Sequence, residues 1–310
     1  MSRREPAQVQ AQIGGLLPFV HTPFISLEEV DIPRFRRHLR WLEEDFAQQP
    51  SCYFICCGSG ELWSVSADEH RALVRAAVEE VGQRAPVVAG VGYGTRLAME
   101  QAISAQEAGA DALLVFPPYL AAGPQEGLLA HYGAIAGATE LAVLVYHRDN
   151  AVFAPETMAR LVEAHPNVIG MKDGYGDLDL LAQVRDLLGD AFLLANGMPS
   201  AEMYAKAYTA AGIRSYSPGG IEFVPEIAWA FDAALERQDG AEIDRWVEGF
   251  YRPYTELRNQ VPGYGISLLK AGLGLRGRPT GIVRPPLVEV SPKHRAQLAT
   301  IIERGLAMLA

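Results

Sequence analysis

Lys172 is the residue whose position in this chain most clearly indicates chemistry. It closes the segment 167–172, whose mostly apolar residues predict a buried strand, and a glycine-containing turn follows it. The chain has only four lysines, and the other three lie in helical patterns or at a helix start. A lysine at the end of a buried strand is partly desolvated, which favours the neutral amine that can attack a ketone. The competing interpretation is an ion pair with a nearby carboxylate such as Asp173.

Tyr146 is the second candidate for a catalytic role. It ends another apolar strand, 142–146, which comes directly before the strand of Lys172 in the predicted order. A phenol at that place can relay protons during imine formation. The alternative is a buried tyrosine whose hydroxyl is satisfied at the rim of the fold. The neighbouring Lys172 favours the catalytic interpretation of the pair.

The turn Gly58-Ser59-Gly60 is a candidate binding site for a carboxylate. It offers exposed backbone N–H groups and a hydroxyl, and a carboxylate accepts several such donors at once. The alternative is a plain glycine turn between a strand and a helix, which spacing alone slightly favours.

These residues need a framework that brings strand ends together, and the alternation of the sequence predicts one. Eight short apolar runs read as strands, at 15–21, 52–57, 87–91, 112–116, 142–146, 168–172, 192–195 and 213–217. Helical patterns lie between them, near 33–48, 67–82, 96–108, 125–138, 155–164, 177–188, 200–210 and 225–236. The pattern predicts an α/β fold of the (β/α)8 TIM-barrel type over residues 14–236. A doubly wound open sheet is the competing architecture.

Helical patterns continue beyond the eighth strand and its helix, near 240–259, 264–275 and 292–309. We interpret residues 237–310 as a C-terminal helical extension of the same domain. In a barrel, chemistry occupies the carboxyl ends of the strands. Asn196, Gly197 and Ser217 stand at such ends, and we predict that they bind substrate together with the 58–60 turn.

Composition and charge narrow the class of protein. The chain has 310 residues, 49% hydrophobic and 21% charged, and a formal charge of −10 without a basic run, so a nucleic-acid partner is not expected. No apolar stretch approaches the ~18 residues that span a bilayer, and the polar N-terminus does not read as a signal peptide. Three clustered cysteines (Cys52, Cys56, Cys57) read as small buried residues in a reducing cytoplasm. Neither His21 nor His147 has a partner at metal-ligand spacing, so no metal site is predicted.

Four motifs taken together resemble one group of enzymes. They are Thr22-Pro23-Phe24, Gly58-Ser59-Gly60-Glu61, Tyr146 and Gly170-Met171-Lys172-Asp173. In that order, over residues 14–308, the chain is similar to the dihydrodipicolinate synthase / N-acetylneuraminate lyase superfamily. Further motifs look most like 5-dehydro-4-deoxyglucarate dehydratase: Tyr146-x-Arg148-Asp149-Asn150, Lys172-Asp173-Gly174, Gly92-Tyr93-Gly94-Thr95, Leu269-Lys270-Ala271-Gly272 and Val283-Arg284-Pro285-Pro286-Leu287.

The resemblance implies a barrel assembled as a dimer of dimers, a homotetramer, in the cytoplasm. It implies that Lys172 forms a Schiff base with a keto acid, that Tyr146 relays protons, and that Ser59 and Gly60 hold the substrate carboxylate. It implies no metal or organic cofactor. The implied reaction is a decarboxylating dehydration of 5-dehydro-4-deoxyglucarate to 2,5-dioxopentanoate, water and carbon dioxide. A keto-acid aldolase or synthase, and a non-catalytic keto-acid-binding homologue, are the alternatives.

The chain departs from its relatives at four places. Gly58 stands where many relatives carry a threonine, and Ala151 stands where the synthases carry an arginine; both argue against a synthase. His147 replaces an asparagine of the dehydratases, and Ser217-Pro218-Gly219-Gly220 replaces a serine-rich segment. We expect these last two sites to line the pocket and to affect the choice of substrate.

Overall fold

Seven parallel strands form one curled sheet in this computed structural model, which describes residues 3–44 and 51–310. Each strand pairs with the next one along the chain. The strands are β1 (Tyr53–Ile55), β2 (Val87–Val91), β3 (Ala112–Val115), β4 (Ala142–His147), β5 (Val168–Asp173), β6 (Leu193–Asn196) and β7 (Ser215–Tyr216). They match the second to eighth predicted strands, and the parallel, sequential order confirms the α/β class.

Helices alternate with these strands. They are α1 (Pro6–Gln12), α2 (Ile32–Glu44), α3 (Ala67–Val81), α4 (Thr95–Ala108), α5 (Gln125–Gly137), α6 (Pro155–Ala164), α7 (Leu178–Leu188), α8 (Ala205–Ala210) and α9 (Pro225–Glu236), followed by α10 (Gly240–Trp246), α11 (Arg252–Arg258), α12 (Tyr264–Leu275) and α13 (Pro292–Ala307). None of the described helices combines the length and apolarity needed to cross a membrane.

The predicted first strand, 15–21, is not a regular strand. Its residues make isolated parallel bridges to both outer strands of the sheet, Leu16 with Tyr216 and Phe19 with Phe54. The backbone N–H of Leu17 donates to Tyr216 at 2.9 Å. Pro18 has no N–H to donate, which interrupts a continuous ladder. One irregular segment therefore contacts both edges of the sheet.

The strands are buried on both faces, as the near-continuous apolar runs of a parallel sheet require. One cluster fills the inside of the curled sheet, and a larger one lies between the sheet and the helices. Helix α1, which the sequence did not predict, places Val9 against the inner cluster, and the three cysteines are buried and free. Leu298 and Ile302 of α13 belong to the larger cluster, so the C-terminal helices share it with the sheet.

Two predicted helices are divided in the structure. The pattern at 200–210 is a 3-10 turn (Ala201–Tyr204) followed by α8. The pattern at 240–259 is α10, a π-helical turn (Val247–Tyr251) and α11. Pro253 in the first turn of α11 cannot donate a backbone hydrogen bond to the turn before it. The last part of the first predicted helix, 45–48, lies outside the described residues.

Candidate functional site

A cavity of about 1230 Å³ opens at the carboxyl ends of the strands. Its walls come mainly from the loops that follow the strands, with further residues from α11 and from the segment that leads into α12. Six of the residues singled out from the sequence line it: Gly58, Ser59, Tyr146, Lys172, Gly197 and Ser217.

Lys172 reaches this cavity because strand β5 is irregular. Ile169 belongs to the inner cluster, and strict alternation from it would turn Lys172 outward. The register of β4 and β5 shifts opposite Val143, so that Met171 packs outward and Lys172 faces the cavity. A β-carbon on Gly170 would lie 2.5 Å from the carbonyl oxygen of Leu193, so glycine permits this close approach. A bulge beside a site can re-aim a side chain in this way.

The Lys172 amine is buried among aromatic rings and makes no ion pair with a described residue. Its Nζ lies 3.9 Å from the ring centroid of Tyr146 and 4.8 Å from that of Phe19. It donates one long hydrogen bond, 3.4 Å, to the carbonyl oxygen of Gly197. A β-carbon on Gly197 would lie 2.6 Å from this Nζ, so a side chain there would displace the amine.

The competing interpretation, in which Asp173 pairs with Lys172, is wrong. The Asp173 carboxylate points to the opposite face of β5 and accepts backbone N–H groups of Tyr175 at 3.1 Å and Gly176 at 3.0 Å. Burial opposes its ionisation, but the imidazole of His147 and the hydroxyl of Tyr208 lower the pKa of Asp173 below its usual value. Asp173 therefore stabilises the outer face of the strand.

His147 does not line the cavity, which corrects the expectation that its side chain shapes the pocket. It is fully buried on the outer face of β4, with Nδ1 3.3 Å from Asp173 and its ring 5.8 Å from that of Tyr175. Adjacent residues of a strand point to opposite faces, so Tyr146 and His147 cannot both face inward. Of the segment 217–220, Ser217, Pro218 and Gly219 line the cavity, as expected, whereas Gly220 does not.

Tyr146 lies directly beside Lys172, because the two residues are partners in the β4–β5 register. Its hydroxyl donates to the Gly197 carbonyl oxygen at 3.1 Å and accepts from Arg148 Nη1 at 3.0 Å. Burial alone would raise the pKa of this phenol, but the charges of Lys172 and Arg148 outweigh it and the pKa is lowered. A phenol with a lowered pKa can exchange a proton with a neighbouring amine or substrate.

Arg148 is a site residue for which the sequence, beyond a motif that contains it, predicted no role. It lies two positions after Tyr146, on the same face, and lines the cavity. Besides the phenol it contacts Asp149, whose Oδ2 lies 2.8 Å from its Nε. The signal available in the sequence was this two-residue spacing at the end of an inward-facing strand.

The turn at 58–60 has the features of an anion-binding loop. Among the described residues, no acceptor takes the backbone N–H groups of Gly58, Ser59 or Gly60. Non-glycine residues with positive φ flank the turn, Cys56 at 53° and Glu61 at 52°. Such strained residues cluster at functional sites, and successive free N–H groups form concave anion sites.

Gly60 differs from its neighbours in the turn, because it does not line the cavity. Its carbonyl oxygen accepts the hydroxyl of Thr22 at 2.7 Å. A β-carbon on Gly60 would lie 2.9 Å from the backbone of Cys56, so only glycine fits. Gly60 therefore fixes the shape of the turn.

Asn196 is buried and does not line the cavity either. Its Nδ2 donates to the carbonyl oxygen of Ala201 at 2.9 Å, and its Oδ1 accepts the N–H of Met198 at 3.1 Å. These bonds hold the loop that carries Gly197. Of the predicted binding residues, Gly58, Ser59, Gly197 and Ser217 are thus brought together on the cavity wall, whereas Gly60 and Asn196 support it from behind.

One group of described residues has convergent metal-ligating atoms, namely His21, His38 and Glu222. All three are buried and none lines the cavity. Glu222 Oε2 lies 2.8 Å from His21 Nδ1 and 2.6 Å from His38 Nε2, which are hydrogen-bond distances. Burial lowers the pKa of His21 to about 4, and the two imidazoles, acting against burial, lower that of Glu222 to about 2. The contacts are those of a buried hydrogen-bonded network.

Comparison with known proteins gives a consistent result over almost the whole chain. Residues 12–305 match the Dihydrodipicolinate synthetase family. A Streptomyces avermitilis protein named "Probable 5-dehydro-4-deoxyglucarate dehydratase 1" is 49% identical over 300 residues, covering 95% of this chain and 94% of that protein. A Rhizobium rhizogenes protein named "Probable 5-dehydro-4-deoxyglucarate dehydratase" is 41% identical over 303 residues, covering 97% of this chain and 99% of that protein.

Solved structures support the fold. A dihydrodipicolinate synthase from Oceanobacillus iheyensis has a TM-score of 0.86 at 22% identity, covering 96% of this chain and 98% of that chain. A dihydrodipicolinate synthase from Bacillus clausii has a TM-score of 0.84 at 24% identity, covering 95% and 98%. At these identities the likeness concerns the fold alone.

Proposed function

Because the chain belongs to the dihydrodipicolinate synthetase family, we propose that it is a Schiff-base hydro-lyase. The substrate is 5-dehydro-4-deoxyglucarate, and the products are 2,5-dioxopentanoate, water and carbon dioxide. The dehydratase names of its relatives, at 40–49% identity over nearly the full length, support this substrate. The observation that carries the proposal is a buried lysine amine that faces a large cavity, lacks a carboxylate partner and contacts a tyrosine with lowered pKa.

Lys172 Nζ attacks the ketone carbon of the substrate, and the resulting carbinolamine loses water to give an iminium. Tyr146 is placed to give and take the protons of these steps, since its ring centroid lies 3.9 Å from Nζ and its hydroxyl donates to the same carbonyl oxygen as the amine. The Gly197 carbonyl oxygen, which accepts hydrogen bonds from both groups, fixes their relative positions. Holding reacting groups in this way removes much of the entropic cost of the reaction.

The iminium nitrogen is the electron sink for the remaining steps. Removal of a proton from the adjacent CH2 gives an enamine, and the enamine expels the β-hydroxyl as water. In the conjugated iminium that results, the bond to the distal carboxylate breaks. Its electron pair flows to nitrogen and carbon dioxide leaves. Protonation and hydrolysis then release 2,5-dioxopentanoate and free Lys172.

The carboxylate next to the ketone is held by the turn at 58–60. The free N–H groups of this turn and the Ser59 hydroxyl offer donors at one place. Charge-assisted hydrogen bonds of this kind are the strong ones in proteins. We assign Gly60 and Asn196 to the support of this wall and of the 197–200 loop.

The test is to incubate the protein with 5-dehydro-4-deoxyglucarate and to measure carbon dioxide and 2,5-dioxopentanoate. The proposal predicts both products in equal amounts. Release of pyruvate without carbon dioxide would instead indicate the aldolase alternative. A covalent adduct with substrate but no product would indicate the keto-acid-binding homologue.

Three features of the architecture belong to the same proposal. The segment 15–21 completes a closed eight-stranded barrel, and its bridges to both sheet edges support this closure. Residues 237–310 form a helical extension of the barrel domain, in line with the hydrophobic cluster they share with it. Assembly as a dimer of dimers and a cytoplasmic location remain predictions from the resemblance.

A further inference from the structure

The cavity contains a second place for an anion, remote from the turn at 58–60. We propose that Arg258 forms this subsite and binds the distal carboxylate of the substrate, which makes the protein selective for keto acids with two carboxylates. This inference rests on the proposed function, because it concerns the far end of the same bound molecule.

The cavity wall carries an excess of positive charge. The described lining residues include three cationic side chains, Arg148, Lys172 and Arg258, and one carboxylate, Asp149. This positive excess stands out in a chain whose formal charge is −10. A ligand with two carboxylates would balance it, and one carboxylate alone would leave part of it uncompensated.

The two arginines of the cavity wall differ in their partners. Arg148 already contacts the Tyr146 hydroxyl at 3.0 Å and Asp149 at 2.8 Å. Arg258 forms no ion pair with a carboxylate among the described residues, although its charge acts on the buried Glu202, and its side chain donates a hydrogen bond only to the Ser200 hydroxyl, at 3.1 Å. A guanidinium has five N–H donors in a planar fork, so most of those of Arg258 remain available to a carboxylate.

The loop 197–200 runs along the cavity wall from the Lys172 contact to the Arg258 contact. Residues 197–200 all line the cavity, from the Gly197 carbonyl that contacts Lys172 to the Ser200 hydroxyl that contacts Arg258. The Cα atoms of Gly197 and Ser200 are at most about 11 Å apart, because three extended residues span no more. We infer that a six-carbon keto acid anchored on Lys172 extends along this wall toward Arg258.

Ser200 is held in a conformation that suits a fixed role. Its φ is 56°, in the left-handed region that non-glycine residues rarely adopt. It begins the 3-10 turn Ala201–Tyr204, and its hydroxyl accepts the Arg258 hydrogen bond instead of capping that turn. Strained residues that persist are found where the surrounding structure has a use for them.

The test compares three keto acids in the wild-type protein and in Arg258→Met. They are 5-dehydro-4-deoxyglucarate, the analogue with a hydroxymethyl group instead of the distal carboxylate, and pyruvate, which has no distal end. Turnover of the first is followed by carbon dioxide release, and dehydration of the second by the ultraviolet absorbance of the conjugated enone that it releases. Imine formation by all three is measured as the mass of the borohydride-reduced adduct. Arg252→Met is the matched control, since Arg252 lies on the same helix outside the cavity and pairs with Glu248.

Arg258→Met is expected to raise the KM for the dicarboxylate about 10- to 100-fold, the worth of one charge-assisted hydrogen-bonded contact. The adduct yield with pyruvate and the KM for the hydroxymethyl analogue should stay within about twofold of wild type. Neither molecule has the distal carboxylate that the lost guanidinium would bind. Arg258→Lys should fall between wild type and Arg258→Met, because it keeps the charge and loses the fork.

An equal rise of KM for the dicarboxylate and the analogue, or no rise for either, would overturn the subsite. Failure of the proposed function would look different, because wild-type protein would then release no carbon dioxide from 5-dehydro-4-deoxyglucarate. If wild type releases carbon dioxide and has a lower KM for the dicarboxylate than for the analogue, and Arg258→Met keeps the same ratio of the two KM values, only the Arg258 inference fails.

Discussion

Lys172 and Lys270 are equally buried lysines with opposite surroundings. Their exposed fractions are 6% and 5%, and both amines lie near aromatic rings, Lys270 at 4.5 Å from the centroid of Phe24. Lys270 donates to Glu61 at 2.6 Å and to the carbonyl oxygen of Ile282 at 2.7 Å. Lys172 has one weak acceptor and an open cavity in front of it.

The difference shows that burial alone does not identify a reactive lysine. Burial lowers the pKa of Lys270 and raises that of Glu61, and in each case the charge of the partner acts against the shift. Because Glu61 follows the 58–60 turn, the pair fixes that turn from behind. A buried amine that has its partners is structural, whereas one that faces a cavity without them is available to a substrate.

The largest expected effect separates the two lysines by activity. Lys172→Met should lower turnover of the keto acid by a factor on the order of 10⁶, the loss seen when the covalent nucleophile of a serine protease is removed. Its stability should be near or above that of wild type, since a buried amine with few partners is removed. Carbon dioxide release measures the first effect and chemical denaturation the second.

Lys206→Met is the control for this substitution, because Lys206 is half exposed and pairs with Asp244 on the surface. It should turn over substrate like wild type. If Lys172→Met turned over substrate within about tenfold of the wild-type rate, Lys172 would not be the reactive lysine of the two.

The second largest effect is expected at Tyr146, whose phenol contacts Lys172 and not Lys270. Tyr146→Phe should lower kcat by about 10²- to 10⁴-fold, the usual contribution of a positioned proton donor or acceptor. Tyr132→Phe is the control, as its hydroxyl is buried outside the cavity and has no hydrogen-bond partner among the described residues. Equal effects of the two substitutions on kcat would indicate that the Tyr146 hydroxyl serves only packing.

A stability effect is expected at the other lysine. Lys270→Met leaves Glu61 buried without its cation, which should lower the free energy of unfolding by about 3–5 kcal/mol. Chemical denaturation measures the change, and Lys270→Met with Glu61→Gln should recover most of it because the uncompensated charge is gone. A Lys270→Met protein as stable as wild type would show that the pair is not the structural counterpart of Lys172.

The smallest effect is a displacement of the pH profile. The cations near Tyr146 stabilise its phenolate and so lower its pKa, and removal of one of them must raise that pKa. In Arg148→Met, the limb of the kcat–pH profile that reports Tyr146 should therefore move to higher pH. An unchanged limb, or one that moves to lower pH, would contradict the assignment of that limb to Tyr146.

Much of the framework and the two central residues follow from local patterns in the sequence. The alternation of short apolar runs with helices predicted all seven strands of the described sheet. Lys172 and Tyr146 were identified because each one ends an apolar run. Which face a residue occupies was harder to predict. The register shift near Ile169 turns Lys172 inward, against strict alternation, and it depends on contacts with β4 that no local pattern carries.

Other site features depend on residues far apart in the sequence. Arg258 lies on the C-terminal helix α11 and contacts the 197–200 loop only in the folded chain. Its position in the sequence therefore did not indicate a role in the site. Asn196 and His147 stand at strand ends, where chemistry is expected, yet both face away from the cavity. The alternation of β4 could have excluded His147, because adjacent residues of a strand face opposite sides and the catalytic role predicted for Tyr146 requires the inner side.

The most direct test is to find which amine forms the imine. Wild-type protein is incubated with pyruvate, reduced with borohydride, digested, and analysed by peptide mass spectrometry. A single reduced adduct on the peptide that contains Lys172, absent from Lys172→Met and accompanied by unmodified Lys270, is the predicted result. An adduct on another lysine, or substrate turnover without any trapped adduct, would contradict the central claim.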